Sequence, residues 1–430
     1  MQDQYGHALS GANATATELY QKAQDAYHRY AGDPLPLLQQ ALAENPGFVM
    51  AHVLTAYMTL IGTNAETAQI GLDALAAARP LTATSREAGH LAALDRIAAG
   101  EFRAAGRILE DVAIAHPRDV LALQAGQLMD FVIGDSRMLR DRIARSLPAW
   151  SQDMPNYHAI LGMHAFGLEE TGLYDRAEAA GRKAIALDPR NNWAQHAVAH
   201  VLEMQDRRAE GVVWMGQDSH AWSHESFFQI HNWWHLALFH LGLDDVEAVL
   251  ALYDGPIYGS RSPMAVDMLD AASLLWRLQL KNVAVGDRWI PLAEAYAAQP
   301  LGGLAFDDVH AVMAFMGAGR DADAEAAVAT MVAVVDGPGD NAMFTREVGL
   351  PVARALIAFR RGDHAAACDL LRGVRNQSGR FGGSHAQRDL LDLTLIASAG
   401  LAGETSLQRA LLTERAEAAP LKADPWAVAA

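Results

Sequence analysis

Histidines crowd one stretch of this chain. Between Trp193 and His240 lie seven of the 17 histidines (His196, His200, His220, His224, His231, His235 and His240) and five of the nine tryptophans. Two phrases, WAQHAVAHVLE at Trp193–Glu203 and HNWWHLALFH at His231–His240, each hold a His-x-x-x-His pair. On an α-helix, residues four apart differ by about 40° in azimuth, so each pair presents two imidazoles on one face. Glu203 lies seven residues beyond His196 and returns to that face. Two chemistries fit. Neutral imidazoles from facing helices form the ligand sets of metal sites in helical bundles, which makes His196, His200, His231 and His235 candidate ligands for a divalent ion such as zinc. Without any cofactor, an imidazole beside a carboxylate can instead work as a general acid or base near neutral pH. The adjacent glutamate of the His-Glu-x-x-His metalloproteases is missing, as are the Gly-x-Ser-x-Gly elbow and the phosphate-binding loops.

The elements that position these residues are helices. Amphipathic patterns rich in Ala, Leu, Glu and Arg run almost to the end, with few alternating β-type runs. Pro46, Pro80, Pro117, Pro155 and Pro189 mark helix starts spaced 34, 37, 38 and 34 residues apart. A second marker, a turn before a helix, recurs at Gly100, Gly172, Gly242, Gly319 and Gly362. A period of about 34 to 38 with two helices per unit is the tetratricopeptide pattern. GLYDRAEAAGRKAIALDPRN, starting at Gly172, matches its second helix. The expectation is an all-α, right-handed α-solenoid of tetratricopeptide-like helix pairs, one continuous domain over residues 1–430. Regular repeats are expected at about 16–250, an irregular Gly/Pro-rich stretch at 254–307, further helix pairs at 308–415 and a loose tail at 416–430.

In a repeat array equivalent positions stack side by side. His164, His200, His235 and Asp270 are spaced 36, 35 and 35 residues apart; His196, His231 and Asp267 are spaced 35 and 36. Two ladders of His and Asp therefore run across consecutive units, with His310, Asp307 and Asp308 following after a longer gap. All of them begin a unit's first helix, the helix that lines the concave face of such arrays. Trp193, Trp234, Phe227, Phe228 and Phe306 sit close enough in phase to wall the strip. Candidate catalytic residues are His196, His200, Glu203, His231, His235, Asp270 and His310. Candidate substrate contacts are His164, Trp193, Phe228, Trp234, Asp267, Phe306, Asp307 and Arg388. His220, His224 and His240 fall off the ladders and are expected to be structural, as is Cys368.

The phrases HAVAHVLEMQDR, HNWWHLALFHLG, DAASLLWRL, FDDVHAVMAFMGAGR and GGSHAQRDLLDLTLI resemble the tetratricopeptide-repeat protein 38 family over about residues 157–400. That resemblance implies an α-solenoid curled around an inner cavity. It points to His196, His200, Glu203, His231, His235, Asp270, Asp307, His310 and Gln387–Asp389, and it defines no reaction. Residues 1–145 match less clearly.

Composition narrows the function classes. A formal net charge of −17 argues against a nucleic-acid partner. No apolar run is long enough to span a bilayer, the N-terminus has no secretory pattern, and one cysteine suits a reducing cytoplasm. Three readings stay open: an enzyme acting on a small molecule by acid–base hydrolysis or elimination, a scaffold gripping a peptide or protein, and a metal-dependent hydrolase. Peptide-binding arrays usually line the groove with Lys, Arg and Asn, whereas His, Asp and Trp here favour a small-molecule pocket. Self-association into a homo-oligomer is a further possibility that the sequence leaves open.

Overall fold

In the computed structural model, which describes residues 1–61 and 65–418, the chain is an all-α solenoid of helix pairs. Among the described residues there is no strand, only isolated bridges such as Ala31 to Ser226. Successive helices pack as neighbours, for example Tyr157–Glu169 on Tyr174–Leu187 and Leu350–Arg360 on His364–Val374. The interfaces are built from small residues, so helices approach closely. Ala177, Gly181 and Ala184 are the buried positions of Tyr174–Leu187, and a Cβ on Gly181 would stand 2.5 Å from the Val198 side chain. Of the turn glycines, Gly100, Gly172, Gly319 and Gly362 have φ between 70° and 82°, the left-handed region that ends a helix at little steric cost. Gly242 is needed for another reason. There the left-handed residue is Asp244, and a Cβ on Gly242 would fall 2.1 Å from the Arg208 guanidinium.

Contacts divide the chain into two compact units, Met1–Val198 with Asp218–Asn232, and Ala199–Gln217 with Trp233–Ala430. In the first, the N-terminal helices act as a clamp on the segment that leads into the second histidine helix. Phe227 N donates to Tyr30 O (3.0 Å) and Gly32 N donates to Glu225 O (2.6 Å). Tyr30 stacks on Trp193 with ring centroids 5.4 Å apart. The Asn192 side-chain amide donates to Arg29 O (3.2 Å). The second unit is organised on Ala265–Leu280, which packs against Ala305–Gly317 and His385–Leu401. Trp276 Nε1 donates to Thr394 Oγ1 at 3.0 Å and fixes the last of these contacts.

Two expectations about regularity are corrected. The stretch 254–307 is not irregular throughout, because it carries the helices Ala265–Leu280 and Trp289–Ala297. The Gly/Pro signals mark a π-helical kink at Tyr253–Ile257 with the loop that follows it, and the loop at 298–304 before Ala305–Gly317. Residues 416–418, expected in a loose tail, belong to the helix Thr405–Ala418; the rest of that tail, 419–430, lies outside the described residues.

A buried charge cluster in the first unit shows how the polar core is held. Asp119 caps Val120–Val132 by accepting from Ala122 N, and its other oxygen accepts from Arg86 (2.8 Å) and His90 (2.9 Å). Burial raises the Asp119 pKa, but His90 and Arg86 more than offset this and hold the carboxyl well below its usual value. A folded pKa below the unfolded one stabilises above the unfolded value of about 3.9, and that contribution disappears as pH falls below it. Asp119→Ala should therefore cost about 3–5 kcal/mol at pH 7 in denaturant titrations, because it strands Arg86 in the core. The difference from wild type should shrink at pH 3.

Candidate functional site

Two helices carry the histidine pairs, Asn192–Met204 and Gln229–Gly242. Each pair spans one turn. His196 meets His231, with ring centroids 4.8 Å apart, an interplanar angle of 59° and Nε2 to Nε2 3.1 Å. One turn further along each helix, His200 meets His235 at 4.5 Å and 58°. The two rungs thus repeat one geometry, as the matching 35-residue separations dictate. One ligand nitrogen from each of the four rings lies within 4.8 Å of the others. His196 is 2% exposed, His200 and His235 are fully buried, and His231 is half-buried.

Aromatic rings surround the first rung. Phe166 stacks on His196 (5.4 Å, 28°), and Phe228 stands edge-on to both His196 and His231 at 4.9 Å. Trp193 tilts over His196 at 5.0 Å. Such rings exclude water, so the imidazole nitrogens keep strong electrostatic interactions. Phe227, expected in this wall, is corrected to the surface at 49% exposure. Both residues lie in the turn before Gln229–Gly242, where Phe227 N is tied to Tyr30 O and Phe228 packs against His196 and His231.

In the second unit the polar residues around Ala265–Leu280 form a hydrogen-bonded frame. Trp234 Nε1 donates to Ser273 Oγ at 2.9 Å, and Ser273 Oγ donates to the Asp270 carbonyl at 3.1 Å. Asp270 is buried; Asp267, also buried, accepts from Ser262 Oγ at 2.5 Å. The guanidinium of Arg277 lies 5.4 Å from the centroid of the Trp234 ring and donates to the carbonyls of Ser273 and Ala386. Burial pulls Arg277 down to about 10, against the attraction of Asp389, Glu203 and Asp270. Glu203 and Arg277 share a cavity of about 30 Å³ with Asp389 and Arg415, large enough for about one water. Arg388 donates to Gly383 O and so braces the loop before His385–Leu401.

His310 and Phe306 form a separate group. Phe306 packs on His310 (4.8 Å) and Phe381 (5.1 Å). His310 Nδ1 donates to Phe306 O at 2.8 Å, which fixes the tautomer and leaves Nε2 as the acceptor. Burial pushes His310 down to about 4. Asp307 is half-buried on the same helix, while its neighbour Asp308 accepts from Gly302 N and is raised by burial to about 6. His164, in the first unit, is buried and likewise pushed down to about 4 by burial and by Arg176 and Arg140. Of the histidines set aside as structural, His220 and His224 stack on each other at 4.7 Å, and His240 pairs with Asp245 at 3.0 Å. Cys368 is buried.

Sequence reasoning missed Phe166 and Arg277. Phe166 lies two residues after His164, one unit upstream of the first histidine helix. Arg277 is the lone cation in the apolar phrase AASLLWRL, seven residues after Asp270, where only a functional or structural demand would put a charge. No family model matches the sequence.

The His310 geometry makes a direct prediction. A histidine whose folded pKa is depressed stabilises above its unfolded value of about 6.5 and loses that contribution as pH falls towards about 4. Selective ¹⁵N-histidine labelling should show His310 as the Nδ1–H tautomer, neutral throughout pH 5–7. A midpoint near 6.5, or the Nε2–H form, would contradict this placement.

Proposed function

We propose that the chain binds one divalent transition-metal ion on His196, His200, His231 and His235. The observation that supports this reading is the convergence of one nitrogen from each of four imidazoles to within 4.8 Å, with His196 and His231 Nε2 already 3.1 Å apart. Imidazoles around a tetrahedral ion at about 2.0–2.1 Å stand about 3.3 Å from one another, so modest ring rotation closes the set. An all-nitrogen set suits zinc, copper, nickel or ferrous iron, and disfavours calcium and magnesium, which take oxygen ligands. Neutral rings are the binding form, and Phe166, Trp193 and Phe228 pack around the first rung.

The ion's chemistry follows from the shell. Four protein ligands make a closed site whose first effect is to tie two helices together. Reaction requires an open position, and His231, the half-buried member, is the ligand that water or a small substrate would displace. The reaction class that fits is metal-assisted hydrolysis of a small molecule, with the bound water activated by the ion. The period and helix pairing favour a tetratricopeptide-like chain, and the histidine-rich phrases carry its resemblance to the protein 38 family. The lone buried Cys368 and the absence of any described helix long and apolar enough to cross a membrane fit a cytoplasmic setting.

The test is metal content. After loading with zinc and removal of excess, elemental analysis should find about one ion per chain, and the ion should raise the melting temperature by mass action. His196→Ala and His235→Ala should each lose the ion and the thermal shift. His240→Ala, on the same helix as His235 but paired with Asp245, should keep both. Wild type that stays metal-free and melts unchanged with zinc would overturn the reading.

A further inference from the structure

A second cavity lies in the second unit and contains no histidine. It has a volume of about 530 Å³, inside the roughly 300–1,000 Å³ typical of small-molecule sites. One wall is the π-helical kink Tyr253–Ile257 with the turn that follows, and the other is the start of Trp289–Ala297. π-Helical turns often mark functional positions. Here the kink is locked. Arg288 grips Asp254 through a bidentate fork at 2.8 and 2.6 Å, which ties the two walls together. Gly259 N donates to Gly255 O at 3.0 Å, and a Cβ on Gly259 would lie 2.3 Å from Asp254 O.

That locked turn places Arg261. Its φ is 53°, in the left-handed region that a long side chain rarely adopts, and its N–H donates to Tyr258 O at 3.1 Å. Backbone in such a region persists only where the surroundings impose it, and it clusters at ligand sites. Arg261 lines the cavity as a cation, while Asp287 and Glu294 line it as anions. Among the described residues none of these three forms an ion pair, unlike Arg288 and Asp254. The apolar part of the lining comes from Tyr253, Tyr258, Ile290 and Pro291, with Ile290 47% exposed.

We propose that this cavity binds a small zwitterion of amino-acid or dipeptide size, carboxylate towards Arg261 and ammonium towards Glu294 and Asp287. Opposite charges unsatisfied on one concave surface complement a ligand carrying both. A singly charged ligand leaves one end unanswered, and charge-assisted hydrogen bonds are the strong ones. The apolar patch gives an aliphatic side chain somewhere to go. The proposal is independent of the histidine site.

Calorimetric titration of the full chain tests it with glycyl-L-leucine, L-leucine, 4-methylpentanoate and isopentylamine. At least one zwitterion should bind, and the two singly charged analogues should bind about tenfold or more weakly. Arg261→Ala should abolish the preference over the amine, and Glu294→Gln the preference over the carboxylate. Both side chains are exposed, so circular dichroism should show unchanged folds. No heat with either zwitterion, or analogues binding as tightly as the zwitterions, would overturn the proposal.

Discussion

Four imidazoles within so small a volume impose one constraint on everything around them. Buried together they cannot all be solvated, so each ring needs a partner for its nitrogens inside the protein. His196 and His231 approach at 3.1 Å with Nε2 facing Nε2, a contact in which one nitrogen donates or both coordinate. The second rung repeats the ring geometry within 0.3 Å and 1°. The proposed cation would satisfy both rungs at once. The residues between the histidines serve the same constraint: Ala194, Ala197 and Ala199 are fully buried and leave space for the rings of their neighbours.

Support for this arrangement comes from distant parts of the chain. Phe228 can stand against His196 and His231 because Tyr30 and Gly32, almost 200 residues earlier, hold the backbone at 225–227. The N-terminal helices thereby gain a role that their sequence does not announce. In the second unit, Arg277 is held in a buried position by carbonyls of Ser273 and Ala386 and by the Trp234 face, and it places a positive charge near Glu203, Asp270 and His310. This buried cation adds to burial in holding His310 below its usual value.

How much of this was legible follows from what each signal depends on. Helix content and pairing were readable because the repeated proline and glycine punctuation is local. The 35-residue spacing brought His196 to His231 and His200 to His235 on paper, since equivalent positions of adjacent repeats are neighbours in space. The same arithmetic pointed to Asp267 and Asp270, whose described partners are Ser262 and, through its carbonyl, Ser273. Arg277 escaped because its partners at Ala386 and Gln387 lie more than a hundred residues away, beyond any local pattern. Phe227 was misplaced because an aromatic doublet gives no clue to which ring faces inward. The Gly/Pro signals at 254–264 and 299–304 both mark loops, but joining them into one irregular stretch ignored the amphipathic phrase AVDMLDAASLLWRL that lies between.

Metal coordination at the four histidines is the central claim, and X-ray absorption at the metal edge tests it most directly. On zinc-loaded protein the account predicts a first shell of nitrogen only, at about 2.0–2.1 Å, with the outer-shell scattering of imidazole rings. That signature should vanish in the His196→Ala His235→Ala double variant. A spectrum dominated by oxygen scatterers, or one unchanged by the double substitution, would contradict it.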